Sequence, residues 1–507
     1  MSVPQTHWSR RAFLKGGLLS AGLARLGTTS AHPLTASGVK ALRVKLDAIG
    51  RSVDADTRTG RATGVSMSVA VEGVIVWEAG FGLAHRETPS PATAHTPFSL
   101  ASLTKPFTTA AVMRLVQAGK LDLDAPIGRY LRSPLPRSAF SAEAVTLRLL
   151  GGHAAGLPSL FEMFDRTHAP TELADLIRNY GELAYPPGER FEYANLGYNL
   201  LGAAVSAVTG QEFSRSLNEL IIRPLGLRNT FFDTDSVRMR LAAGRYDQND
   251  HEIPFYTTAT PPSGELYASA HDLSLFAANM MGMGIGGRTP LFDRHALDTL
   301  FAPVFTSRTQ AFTTFGWSGR DVAGERMIAK TGGQPGVAAR LTLLPVRKIS
   351  IAVIANRDDN RKLVADISSE IASSLISDWS NPDFHVDDAP APDTGTHDHD
   401  GSWTGSIRQG NTSDSIRIGI DPTGASTCNL GNGSARSIRE LESHGNTLTF
   451  KLDGSLSSTP LADGTAEELD FKLVARNELL VGRCLSASER PGFTATEPYI
   501  VTLSRSP

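Results

Sequence analysis

Three short strings could do chemistry together: Ser102-Leu103-Thr104-Lys105, Tyr193-Ala194-Asn195 and Lys330-Thr331-Gly332-Gly333. They supply a nucleophilic hydroxyl, two amines, a phenol and a carboxamide, enough for acyl transfer without histidine or metal. Ser and Lys three apart at a helix N-terminus lie one turn apart on one face. The helix end and a close ammonium both favour the alkoxide, which makes Ser102 a usable nucleophile. Spacing alone is weak evidence, because Ser37-Gly38-Val39-Lys40 repeats it near the N-terminus. Taken singly, Ser102 reads as a capping serine and Tyr193 as a turn tyrosine. The ordered set is what points to acyl transfer.

Two ammonium groups beside Tyr193 would favour its tyrosinate and make it a general base at neutral pH. Asn195 can accept from Lys105 while donating to a substrate carbonyl. The chain has only ten lysines, so a chance Lys-Thr-Gly is expected well under once. Lys330 to Gly333 end a strand, and glycines on an edge strand let a substrate pair closely with the backbone. The Gly333 N–H, with that of Ser102, would form an oxyanion hole.

Residues 39–380 read as one large mixed domain that must position these groups. Apolar residues alternate on both sides of Glu72-Gly73, a hairpin signal. A helix opens at Ser102 and runs to Gln117. Strands return over residues 326–331, 341–344 and 349–355, and a closing helix aligns Leu363, Ile367, Ile371 and Leu375. Strands at both ends with helices between them predict an α+β domain whose first and last strands pair. Residues 381–400 hold six Asp, three Pro and no Lys or Arg, the composition of a solvated linker. Within it, residues 397–400 (His-Asp-His-Asp) read as a flexible acidic tether before a cation site. Beyond it, Gly401-Ser402-Trp403-Thr404-Gly405 and short period-two runs around 416–420, 448–452, 469–473 and 499–503 predict a small antiparallel β-barrel.

With all three strings in hand, the chain resembles the serine β-lactamase and penicillin-binding-protein superfamily, in particular its class C β-lactamase and D-stereospecific peptidase/esterase branch. The likeness runs over roughly residues 64–377. It includes His153-Ala154-Ala155-Gly156-Leu157-Pro158, the run from Tyr193 to Gly202, and Lys330 to Pro345 followed by Ala355-Asn356-Arg357-Asp358. The resemblance implies an acylated nucleophile at Ser102 and proton management by Lys105 and Tyr193. It also implies substrate positioning by Asn195, Lys330, Thr331 and Gly332, and oxyanion donors at Ser102 and Gly333. It implies an antiparallel sheet flanked by helices with a helical subdomain, and no cofactor or metal. Tyr-Ala-Asn favours the class C type over the class A type, which has Ser-Asp-Asn there. Lys330 stands where many peptidase and esterase relatives have His, which leans toward a substrate with a carboxylate. His153-Ala154-Ala155-Gly156 departs from the usual His-Thr-Ser-Gly and reads as structural. The C-terminal part looks like the lipocalin-like domain of some such hydrolases.

The implied activity is hydrolysis of amide or ester bonds in β-lactams, D-amino-acid peptides or amides, or carboxyl esters. The partner is a small-molecule or peptide substrate. One alternative is a penicillin sensor that acylates without turnover; the other is a ligand-binding barrel on a non-catalytic hydrolase-like domain. The barrel is expected to shape access or oligomerisation.

The N-terminus carries Ser9-Arg10-Arg11-Ala12-Phe13-Leu14-Lys15, a weak apolar stretch, then Thr29-Ser30-Ala31. This predicts a twin-arginine export signal over residues 1–31, a mature domain over 32–380, a linker over 381–400 and a barrel over 401–507. Export by that route implies a periplasmic or secreted protein. Without residues 1–31 the chain has 45 basic against 52 acidic groups, no footprint for nucleic acid. No later stretch approaches the roughly 18 apolar residues of a membrane span. The two cysteines, Cys428 and Cys484, are either one disulfide or two buried thiols.

Overall fold

Apolar residues at 65, 67, 69 and 71, then at 74 and 76, build the first hairpin. The computed structural model describes residues 36–506 apart from 132–134, 139, 166, 286–287, 323, 377–378, 380–385, 387–398, 422–424, 455, 457–467, 477 and 491–492. The predicted export signal, most of the predicted linker and His397-Asp398 therefore lie outside the described residues. Helix α1 (Ala36–Arg58) precedes strand β1 (Gly64–Val71), and β2 (Val74–His85) returns antiparallel to it. Glu72 and Gly73 take φ of 51° and 79°, the primed turn whose twist suits a two-residue hairpin.

Ser102 lies in a single 3₁₀ turn, Ala101–Thr104, that runs into helix α2 (Lys105–Gln117). The sequence predicts one helix from Ser102; Pro106 is the reason for the difference. It has no N–H to donate and fits the first turn of an α-helix, so the α-helical ladder starts at Lys105. Next come β3 (Phe161–Phe164), α3 (Asn195–Thr209) and α4 (Ala270–Met280). The sheet is completed by β4 (Ser318–Val322), β5 (Glu325–Gln334), β6 (Val337–Leu344) and β7 (Ile349–Ala355), and α5 (Arg361–Ser373) follows. The central strand order is β2-β1-β7-β6-β5-β4, all antiparallel. Strand β1 pairs with β7, Val65 opposite Ala355 and Val71 opposite Ile349, so the first and last strands meet as the pattern predicts.

Both faces of this sheet are covered. Val65, Met67, Val69 and Val71 pack with α1 and α5 in one apolar layer, which includes Ile351, Val364, Ile367 and Ile371. On the other face Ser274 of α4 donates to Ser68 (2.8 Å), and α2, α3 and α4 share the larger core. In α5 the buried positions are Val364, Ile367, Ser368, Ile371 and Ala372, a wider stripe than the four-residue spacing gives, with Leu363 and Leu375 at its margins.

The C-terminal strands are β8 (Gly401–Gln409), β9 (Thr412–Ile420), β10 (Thr427–Leu430), β11 (Arg436–Ser437), β12 (Arg439–His444), β13 (Thr447–Asp453), β14 (Glu468–Arg476), β15 (Leu479–Arg490) and β16 (Phe493–Arg505). Their order, β11-β10-β9-β8-β16-β15-β14-β13-β12, makes a nearly closed antiparallel barrel. The period-two residues Ile416, Ile418, Phe450, Phe471, Tyr499 and Val501 fill it. His399 is buried and anchors Trp403, whose indole N–H donates to its carbonyl (2.9 Å), so the barrel begins inside the predicted linker. Cys428 and Cys484 share the barrel core as thiols without a disulfide, and burial pushes the Cys428 thiol up to about 12. Strand β3 joins the same sheet by pairing with β16, Phe161 opposite Thr496. Phe161 to Phe164 alternate their burial, as a strand with one face on the barrel should.

Truncating Ile351, fully buried at the centre of the first sheet, should lower the unfolding free energy by about 2–5 kcal/mol, read from urea denaturation of Ile351→Ala.

Candidate active site

The 3₁₀ turn, the start of α3 and the end of β5 converge on one cavity of ≈ 400 Å³. Ser102, Tyr193, Lys330, Thr331, Gly332 and Gly333 all line it. Ala101 holds the left-handed region at φ 46°, a conformation costing of order 1 kcal/mol in a residue with a side chain. Gly332 passes directly over this turn: a Cβ there would lie 2.0 Å from the Leu100 carbonyl oxygen, so only glycine lets strand and turn meet. Pairing with β4 stops at Ala329, leaving Lys330 and the residues after it beside the cavity.

Lys105 is fully buried and has three partners. Its Nζ lies 2.8 Å from Asn195 Oδ1, 3.1 Å from the Ser263 carbonyl oxygen and 3.2 Å from Ser102 Oγ. Asn195 Nδ2 donates to the Leu160 carbonyl (2.8 Å), which turns Oδ1 toward the lysine and commits one amide hydrogen. The Tyr193 hydroxyl donates to Ser102 Oγ at 2.7 Å. Two amines flank the Tyr193 ring, Lys105 Nζ 4.8 Å and Lys330 Nζ 5.2 Å from its centroid.

Burial, with the nearby Lys330 charge, holds the Lys105 amine well below the ordinary lysine value, and burial brings Lys330 down to about 8. Burial likewise raises the Tyr193 phenol, only partly offset by its bond to Ser102. The sequence predicts a tyrosinate between two ammonium groups. The structure instead gives a neutral phenol, because desolvation disfavours charge on all three groups.

His153 stacks on Tyr193 with centroids 4.2 Å apart, and its Nδ1 accepts the Ala194 N–H at 3.2 Å. Its carbonyl accepts the Glu192 N–H (2.8 Å). The residue braces the strand of chain carrying Tyr193, in keeping with its structural reading. Its φ of 57° matches the same tight turn.

The sequence gives no sign of a second brace. Glu192, 6% exposed, accepts from Arg483 Nε at 3.1 Å and faces Lys472 Nζ at 3.5 Å, both on barrel strands. Burial alone would raise the Glu192 carboxyl, but the Arg483 and Lys472 charges outweigh it and hold it below the usual range. The Tyr185 hydroxyl donates to the Lys472 carbonyl (3.0 Å), Arg476 pairs with Glu189, and Arg408 donates to Glu182 (2.7 Å). The barrel thus grips the chain on both sides of Tyr193. Arg340 and Arg361 also line the cavity, and a Cβ on Gly333 would meet Arg361 Nε at 2.7 Å. A signal for Arg361 existed, a basic residue opening the closing helix, but no spacing ties it to Lys330.

A family model described as beta-lactamase matches residues 49–374. A beta-lactamase-like protein of Homo sapiens is 28% identical over 395 residues, covering 74% of this chain and 76% of that one. Esterase EstB of Burkholderia gladioli is 35% identical over 206 residues, 38% of this chain and 52% of that protein. Among solved structures, a class C beta-lactamase superposes with a TM-score of 0.57 at 19% identity, covering 68% of this chain and 99% of that one. SurE superposes with a TM-score of 0.60 at 21% identity and covers 90% of this chain and 99% of its own, so its fold spans both parts.

If Arg483 and Lys472 position Tyr193 through Glu192, Arg483→Met should lower kcat about 10- to 100-fold with little change in KM, and Arg483→Lys should recover part of it. Steady-state kinetics on any turned-over substrate reads this out.

Proposed function

This chain belongs to the beta-lactamase family, and from that premise we propose that it is a serine hydrolase that acylates Ser102 and releases the acyl group to water. The observation that carries the reading is the pair of contacts on Ser102 Oγ, Tyr193 at 2.7 Å and Lys105 at 3.2 Å. A neutral amine has two hydrogens and one lone pair. Asn195 Oδ1 and the Ser263 carbonyl are acceptors and take the two hydrogens, so the lone pair faces the Ser102 hydroxyl. Lys105 is then the base and Tyr193 the donor.

In acylation Ser102 Oγ bonds to the substrate carbonyl carbon and its proton passes to Lys105. As the tetrahedral intermediate collapses, the Tyr193 O–H gives its proton to the leaving nitrogen or oxygen, leaving a phenolate beside the new Lys105 ammonium. In deacylation that phenolate takes a proton from the attacking water, and Lys105 returns one to Ser102 Oγ. The Ser102 and Gly333 N–H groups are assigned to the oxyanion.

The substrate class proposed is one with a free carboxylate, a β-lactam or a peptide or amide ending in a D-residue. Lys330, Arg340 and Arg361 line the cavity, and among the described residues no acid does. A neutral ester is the second reading, supported by the 35% identity to EstB over part of the chain. Export along the twin-arginine route is proposed from residues 9–15. Among the described residues no helix is long and apolar enough to cross a membrane.

Ser102→Ala should abolish labelling by a fluorescent penicillin or fluorophosphonate and the turnover of nitrocefin, D-alanyl-D-alanine peptides and p-nitrophenyl esters. Retained turnover in that variant removes the assignment. For carboxylate substrates KM should rise as pH passes upward through about 8, where Lys330 loses its charge. Neutral esters should show no such rise; pH-dependent kinetics on both classes makes the comparison.

A further inference from the structure

Away from the Ser102 cavity, three side chains from separate elements turn ligating atoms toward one point: Glu78 on β2, His95 in the segment before Phe98, and His271 at the start of α4. Glu78 is shared between the two imidazoles. Its Oε2 lies 2.9 Å from His271 Nδ1 and its Oε1 3.5 Å from His95 Nε2, and the two rings sit with centroids 4.4 Å apart. One ligating atom from each residue lies within 4.8 Å of the others. Zinc bonds of about 2.0–2.2 Å in a tetrahedron put ligand atoms about 3.3–3.6 Å apart. The two contacts to Glu78, 2.9 and 3.5 Å, lie near that spacing, and the widest separation in the cluster stays within 4.8 Å. We propose that Glu78, His95 and His271 form a binding site for a divalent transition ion of the zinc type, with water completing the shell.

The backbone holding the three residues is already fixed. Glu78 sits in the β1–β2 ladder opposite Ser68. At Gly80 a Cβ would lie 2.3 Å from Thr93 Cα, so the strand and the His95 segment lie in close contact. That segment is folded on itself, with the Thr93 N–H donating to Thr96 Oγ1 (2.9 Å) and the His95 N–H to Thr93 Oγ1 (3.2 Å). The His271 N–H donates to the Ala94 carbonyl (3.1 Å), and Ser269 caps α4 by accepting the Asp272 N–H (3.1 Å). Asp272 lies outside the cluster, and its Oδ2 accepts from the Asn229 N–H and the Thr230 hydroxyl. Two imidazoles and one carboxylate suit zinc and its neighbours, whereas calcium and magnesium demand mostly oxygen. A bound ion would fasten β2 and α4 to the segment that leads into the Ser102 turn, a structural role separate from the chemistry proposed above.

The test uses the purified full chain, freed of metal by chelation and titrated with ZnCl2 in a calorimeter. The expected result is one-to-one binding that raises Tm, since the ion binds only the folded chain. Affinity should fall about 100-fold or more in His95→Ala and in His271→Ala. It should hold in His251→Ala, an exposed histidine beside Asp247 elsewhere on the surface. His95 is exposed, so His95→Ala should melt like the metal-free parent and still report on the site. Co2+ added to the parent should give ligand-field absorption that His95→Ala lacks, and Mg2+ and Ca2+ should give no binding heat. Failure of the parent to bind Zn2+ one-to-one, or binding undiminished in both histidine variants, overturns the proposal.

Discussion

A buried amine with, among the described residues, no carboxylate beside it is the constraint from which the rest of this structure follows. Lys105 has no exposed surface, and the charge that acts on it, on Lys330, is of the same sign. In such a place an ammonium is costly and a neutral amine is not. Its polar contacts must then come from uncharged groups, because each buried hydrogen still needs a partner. Asn195, the Ser263 carbonyl and Ser102 supply them, and they come from three separate stretches of chain. Helix α2 presents the lysine, the start of α3 presents the amide, and the short helical turn Pro261–Gly264 ahead of α4 presents the Ser263 carbonyl.

The same economy of charge operates one layer out, where it is solved the opposite way. Glu192 is buried as an anion and keeps its charge because Arg483 and Lys472 meet it from the barrel. A buried ion pair adds little net stability, yet removing one partner strands the other in a poor solvent. What the pair supplies is position: it ties the residue next to Tyr193 to strands almost three hundred positions away in sequence. The barrel is thereby part of the architecture around the site, joined also through the β3–β16 pairing.

Much of this was legible in the chain. The hairpin at Glu72-Gly73, the strands read at 326–331, 341–344 and 349–355, and the barrel runs at 416–420, 448–452, 469–473 and 499–503 follow periodicities that each segment carries within itself. So do the three strings, since their residues are close in sequence to their own partners. The 3₁₀ turn at Ser102 and the barrel role of Phe161 to Phe164 were not legible. The first depends on how Pro106 meets the turn before it, and the second on a partner strand more than three hundred residues later. The tyrosinate expectation failed for a related reason: it counted charges near Tyr193 without the desolvation that suppresses them.

By itself, then, the sequence determined which groups are present and which local elements carry them, because side-chain type and hydrophobic period are properties of short stretches. The tertiary structure alone decided the desolvation of Lys105 and Tyr193, the grip of Arg483 and Lys472 on Glu192, and the meeting of Glu78 with His95 and His271. Those depend on burial and on distances between remote segments, and neither quantity exists until the chain has folded.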